Sequence, residues 1–271
     1  MKDQVPRLLA LTLGAGVIAA GGYYYLKNQE PDLTLSPKAV SSPISQLPVT
    51  APRYPLPRES DLPESPPGGD GLPATIPRLD DSDPTLEIAL KALFSGVNLS
   101  KLLVTQDFVR RFVVTTLNSV GRTQPLASLS PVIPPSPGFL VKEDETISDE
   151  NFKRYTPYVE LIARLDAHQA VKFYIKAYKI FQAAYDDLGA PGHFNDHLID
   201  TLESALQAPM PPGPIRVSRT GPTHAYKFVD AELEALTPIQ KILVRMGPAH
   251  TQVIQEKLKK IRGLLLLKKP R

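Results

Sequence analysis

Asp166-Ala167-His168-Gln169-Ala170-Val171-Lys172-Phe173-Tyr174-Ile175-Lys176-Ala177-Tyr178-Lys179-Ile180-Phe181-Gln182-Ala183-Ala184-Tyr185-Asp186-Asp187-Leu188-Gly189 is the stretch that decides the fold class. Val171, Tyr174, Ile175, Tyr178, Phe181, Gln182 and Tyr185 recur at steps of three and four, the spacing of one helical face. Asp166 is an N-cap residue, and Gly189 supplies a stop. The stretch predicts one long helix from Asp166 to about Leu188.

Helical spacing continues on both sides. Downstream, Phe194 to Leu206 reads as a helix, ended by Pro209, Pro211 and Pro212. The period then drops to two in Ile215–Arg219 and again in His224–Phe228. Thr220-Gly221-Pro222-Thr223 between them reads as a turn, which predicts a short hairpin. A short helix near Ala231–Leu236 follows, then one opened by Thr237-Pro238 and running to Met246, then one from Pro248 to about Arg262. Upstream, Thr156-Pro157 reads as a helix start, with Val159, Leu161, Ile162 and Leu165 inward. Pro125–Gly138 is a proline-rich loop. Thr105 is placed to cap a helix carrying Phe108, Phe112, Val113 and Leu117. Asp83-Pro84 opens the first helix, with Leu86, Leu90, Leu93 and Phe94 on one side and an end near Gly96. Residues 78–271 are therefore expected to form a mainly α domain with one small β-hairpin.

The remaining residues have another character. Leu8 to Leu26 is an uncharged run of 19 residues closed by Arg7 and Lys27. At ~1.5 Å per residue it matches the ~30 Å hydrocarbon core of a bilayer. Tyr23, Tyr24 and Tyr25 sit where phenolic rings meet headgroups. Residues 1–27 are read as an uncleaved single-pass anchor; a cleaved signal, with Val17 and Ala19 before the cut, is the rival reading. Lys2 and Arg7 before the span place the N-terminus in the cytoplasm and the domain in the periplasm. Residues 28–77 hold 12 of the chain's 29 prolines with no apolar period. That predicts a disordered, proline-rich linker. Pro52–Pro57 has the look of a docking motif for an aromatic groove, but a plain spacer is the favoured reading.

Composition narrows the chemistry. The 271 residues include no Cys, which excludes thiol nucleophiles, thiolate metal sites and disulfides. Thirty-one Lys+Arg against 28 Asp+Glu give a net charge of +3, without the strongly basic balance of a nucleic-acid binder.

Four segments then point to a family: Arg110-Arg111-Phe112-Val113-Val114-Thr115; Phe194-Asn195-Asp196; Gly213-Pro214-Ile215-Arg216-Val217 with Tyr226-Lys227-Phe228; and Glu232–Leu236 with Gln240–Pro248. From about Pro77 to Leu264 the chain resembles the bacterial domain of unknown function 3014 family. The resemblance implies the same layout of membrane segment, proline-rich stretch and domain. That family has no assigned activity, so it implies no chemistry. His197 stands where the family commonly carries Arg.

Arg110, Arg111, Arg216, Arg219 and Arg245 are the candidate anion-binding set, since planar guanidinium groups suit carboxylate and phosphate; bracing of the fold is the commoner use of such arginines. His193 and His197 are one helical turn apart beside Asp196, but a third metal ligand is missing nearby in sequence, so no metal site is assigned. Asp80-Asp81-Ser82-Asp83 and Asp186-Asp187 read as capping and solvated acids. From Glu256 onward that one acid faces seven basic residues, a helix face suited to solvent or to an anionic surface. No catalytic residue and no cofactor are assigned. The expectation is a non-enzymatic interaction module tethered to the bacterial inner membrane. Its partners would be the bilayer through residues 8–26 and an envelope protein or polymer, with no nucleic acid. An envelope enzyme or an anion sensor is the alternative, and oligomeric state is not assigned.

Overall fold

Along the chain run α1 (Asp83–Leu93), α2 (Phe108–Val120), α3 (Glu150–Ala163), α4 (Ala167–Asp187), α5 (Phe194–Leu206), β1 (Val217–Arg219), β2 (Tyr226–Phe228), α6 (Ala231–Ala235), α7 (Pro238–Met246) and α8 (Pro248–Leu265). This computed structural model describes residues 51–63, 75–94, 97–121, 129–219 and 225–267. The anchor expected at residues 8–26, residues 28–50 and 64–74 of the expected linker, the turn at 220–223 and the last four residues lie outside the described residues. Among the described residues no helix is long and apolar enough to cross a membrane.

The long helix forms as its sequence dictates. The Asp166 carboxylate accepts from the Gln169 N–H at 2.9 Å, and Gly189 takes a φ of 67° just past the end. Its burial is wider than one stripe. Phe173, Ala170, Ala177, Ile180 and Ala184 are buried along with Val171, Tyr174, Phe181 and Tyr185. The cause is position: α4 packs against α2, α5 and α8, and α8 in turn covers α3, α5 and α7. Aromatic rings fill the centre. Phe194 lies parallel to Phe181 at 5.9 Å, and Phe112 meets both edge-on at 5.6 and 6.1 Å.

Two helix starts depart from the expectation. Pro157 does not open a helix; it sits inside α3, which begins at Glu150. Proline removes the donor that would reach the carbonyl of Lys153, four residues back. Lys153, Pro157 and Glu160 are all exposed, so that carbonyl belongs to the solvent face. Thr105 does not cap α2. The N-cap position is Asp107, in the left-handed region at φ 51°. The free N–H groups of Asp107 and Phe108 are met by Asp83, whose carboxylate accepts them at 2.6 and 3.2 Å. Asp83 thus caps a helix other than its own, and Ser82 takes the cap position of α1.

A first prediction follows from this cross-cap. Asp83→Ala should cost about 1–2 kcal/mol and lower the thermal midpoint by about 2–8 °C, as the loss of an N-cap in a domain of this size does. Asp83→Asn should recover part of the loss, and calorimetric melting of both variants checks it.

The hairpin is present, with Val217 opposite Phe228 and Arg219 opposite Tyr226. An unforeseen neighbour widens it. Val141 bridges Ile147, and Thr146 bridges Arg216. The Ile147 N–H donates to Ile215 O at 2.9 Å, and the Val217 N–H to Glu145 O at 2.8 Å. A second, smaller core of Ile147, Val217, Phe228 and Val244 lies beneath this patch.

Candidate interaction site

Residues 51–63, assigned from sequence to a disordered linker, lie against the helical domain. They form a strap. Pro52, Tyr54 and Leu56 turn inward while Ala51, Arg53 and Pro55 face solvent, and Pro57 is buried. Tyr54, Leu56 and Leu62 join the edge of the main core, as do Ile76 and Leu79 beyond the strap. Period-two burial is what an extended backbone produces.

The start of α5 holds the strap by its main chain. The Asp196 carboxylate accepts the Arg53 N–H at 3.0 Å and the Tyr54 N–H at 2.8 Å. Asn195 Nδ2 donates to Tyr54 O at 2.6 Å. One main-chain carbonyl and two main-chain N–H groups are thereby read by two adjacent side chains. These two sit rigidly because Phe194 before them is fully buried and Gln182 Oε1 of α4 accepts the Phe194 N–H at 2.9 Å. Side chains add charge contacts. The Arg53 guanidinium pairs with Asp200, one turn along α5 from Asp196. Glu59 lies 3.2 Å from Lys172 and 3.6 Å from Lys176, both on α4. A turn at Glu59–Asp61 is closed by Arg58 and Asp61, and Pro63 O meets His168 Nε2 at the start of α4. The strap thus runs antiparallel to α4. Lys176, which Glu59 approaches, also lines a groove of about 630 Å³ together with Arg78, Asp80, Arg110, Lys179 and Asp187.

The five candidate arginines divide into two groups. Arg110, on α2, bonds Asp80 at 2.6 Å and Asp187 at 3.4 Å, tying the start of the domain to the end of α4. The Arg110 bond holds the Asp80 carboxyl below its ordinary range. Arg111 Nε donates to Gln106 O at 2.9 Å. The other three gather at the hairpin. Arg216 pairs with Glu145 at 3.1 Å, and Arg219 lies over the Tyr226 ring at 4.5 Å. Arg245 is buried, lies 4.4 Å from the Phe228 ring centre and donates to Tyr226 O at 3.2 Å. It therefore ties α7 to the hairpin. Beside this second group a cavity of about 500 Å³ opens between Phe152, Met210, Ile215 and Val244, with Lys142 and Asp149 at 3.1 Å from each other on its lining.

Of the basic C-terminal residues, Arg262 is bonded to Glu203 at 2.6 Å, and Lys257 reaches Leu165 O. His197 is partnered with Tyr185, its Nδ1 3.2 Å from the hydroxyl. Among the described residues no group of three or more His, Asp or Glu is placed to hold a metal ion.

The four segments that suggested a family all fall on this domain. The family profile described as Protein of unknown function (DUF3014) matches residues 108–262. The chain belongs to this family. The matched region runs from the first residue of α2 into the last turn of α8. It contains Phe194, Asn195 and Asp196, whereas the strap lies outside it. No curated protein and no solved structure matches the chain.

Two partly buried histidines, His197 and His250, give the fold a pH dependence. Burial pushes His197 and His250 below the ordinary value of 6.5. The unfolded chain then binds more protons than the folded one just below pH 6.5, so stability is full above that value and falls as pH drops through it. Melting between pH 7.5 and 5 should show the midpoint falling. A His197→Gln/His250→Gln double variant should show a flatter profile.

Proposed function

We propose that this chain is a non-enzymatic interaction module of the bacterial envelope. Residues 8–26 tether it to the inner membrane as a single pass, and the helical domain faces the periplasm, where it binds an envelope protein or polymer. The observation that carries the reading is the strap: the Asn195-Asp196 pair takes hold of an extended, proline-containing chain by its backbone. Main-chain recognition beside side-chain pockets is how domains bind linear segments. The uncharged run before the proline-rich stretch supports the tether, and Lys2 and Arg7 support the orientation.

Reporter fusions to the full chain test the placement. A phosphatase fused after Arg271 should be active and a fluorescent protein that matures only in the cytoplasm should be dark; the reverse pattern overturns the orientation. A photo-crosslinking residue in place of the exposed Lys179 tests the interaction in intact cells. It should yield an adduct with an envelope component that Asp196→Asn diminishes, and an adduct insensitive to Asp196 would remove the strap face from the reading.

A further inference from the structure

We propose that the face of α4 and α5 beneath residues 53–62 is a peptide-binding groove for a partner, and that the strap is its built-in competitor. The inference rests on the interaction-module reading and names the ligand class. The strap shows what fits. Its contacts define an ordered pattern along an extended chain: a basic residue for Asp200, then an aromatic residue, then an apolar residue two places on, and an acidic residue six places after the basic one for Lys172 and Lys176. Prolines at 52, 55 and 57 cost nothing in this register, because the two main-chain N–H groups taken by Asp196 belong to Arg53 and Tyr54. Proline also limits the freedom an extended chain loses on binding. The ligand is therefore an extended proline-containing segment of a partner protein with the order basic, aromatic, Pro, apolar, and acidic further on.

Three features favour a displaceable strap over a permanent part of the core. Arg53 is exposed and its pair with Asp200 lies at the surface, where such a pair contributes little, and Glu59 meets its two lysines from the solvent side. Tyr54, Leu56 and Leu62 are only partly buried and lie at the rim of the core. The family match begins at residue 108, so the receptor residues lie within the family region and the strap does not. Charge complementarity selects the direction of binding: the acids Asp196 and Asp200 stand at one end of the groove and the lysines at the other, so the basic end of a peptide goes to α5.

The arithmetic of a tethered competitor sets the expected result. A segment joined by a short connection acts at an effective concentration of order mM. A free peptide therefore meets an apparent Kd raised toward the mM range in the intact chain and shows its own affinity only when the strap is loosened.

The test uses the full chain in detergent micelles and a fluorescein-labelled peptide of residues 50–64, read by anisotropy. Arg53→Ala/Tyr54→Ala/Glu59→Ala loosens the strap and leaves every groove residue in place. This variant, shown to be folded by circular dichroism, should bind the peptide at least tenfold more tightly than the wild-type chain. Adding Asp196→Asn should reverse at least tenfold of that gain. Equal binding by wild type and loosened variant, or binding that ignores Asp196, overturns the proposal. So does a wild-type chain whose strap sits only in the groove of a second copy, seen as a peptide-sensitive dimer in sedimentation. A second measurement avoids changing the strap contacts. The chain has no cysteine, so Ala51→Cys takes a single spin label. Millimolar peptide should raise the label's mobility, and a spectrum unchanged at saturating peptide overturns displacement. These outcomes are separate from the reporter fusions, so the groove can fail while the tethered-module reading stands, and the converse.

Discussion

Phe194→Ala is expected to destabilise the domain by about 4 kcal/mol and to lower its thermal midpoint by about 8–16 °C, from the cost of emptying a large aromatic site and the size of the domain. Phe194 is fully buried, stacks on Phe181 at 5.9 Å, and touches the rings of Phe112, Tyr174 and Tyr185. These rings come from α2 and α4, so the cavity opens where three helices meet and none of them can close it alone. Phe194→Leu should cost less than half as much, since most of the volume is kept. The substitution also reaches the interaction face, because Asn195 and Asp196 follow on the same turn. Partial loss of strap contacts should appear at temperatures well below the melt, as faster proteolysis between residues 51 and 63 than in the wild-type chain. A midpoint within 2 °C of wild type would mean that the aromatic centre is not the chief source of stability.

Gly247→Ala should cost about 3 kcal/mol, a loss of about 6–12 °C in the midpoint. Two effects add. Gly247 joins α7 to α8 at φ 85° and ψ 160°, a backbone region that residues with a side chain rarely enter. A Cβ built there would lie 2.8–2.9 Å from three atoms of the Phe152 ring. Phe152 belongs to the second core, so it can move only by disturbing Ile147 and Val244. The double variant Gly247→Ala/Phe152→Leu separates the two effects. It should recover the part due to the clash and leave the part due to φ, and a thermal melt of the pair against each single variant reads the difference.

Local periodicity and punctuation are legible in this sequence because each is written within one turn or one strand. The helix from Asp166 to Leu188 carries its own cap, its own face and its own stop. Phe194–Leu206 and the pair of alternating segments around 217 and 228 are equally self-contained. The Thr237-Pro238 start is another case, with Thr237 and Gln240 capping one another across a single turn.

Most of the failures share one physical cause: they concern groups whose partners lie far along the chain. Asp83 reads as a cap for the helix beside it, yet its carboxylate serves Asp107 and Phe108, because α1 and α2 pack together. Pro157 is the local exception: it reads as a helix start, yet it sits mid-helix, where the Lys153 carbonyl that it leaves without an intrahelical donor is on the solvent face. Residues 139–149 carry a turn closed by their own Val141–Ile147 bridge, but the Thr146–Arg216 bridge and the bonds to Ile215 and Val217 come from a distant segment. The arginines were legible as a set by type, but their partners separate them into a brace at the end of α4 and a cluster around the hairpin.

The strap is the clearest instance. Prolines and a weak apolar content argue for an unfolded spacer, and the alternation of Pro52, Tyr54 and Leu56 is too short to overrule them. The sequence by itself determined that the domain is helical, where most of its helices begin and end, and that Phe194-Asn195-Asp196 belongs to a recurring pattern. Only the tertiary structure decided that this pattern grips a segment 141 residues upstream. Recognition of a backbone needs two N–H groups and a carbonyl held at fixed positions by a folded surface, and no spacing of residue types along one chain encodes which distant backbone will arrive there.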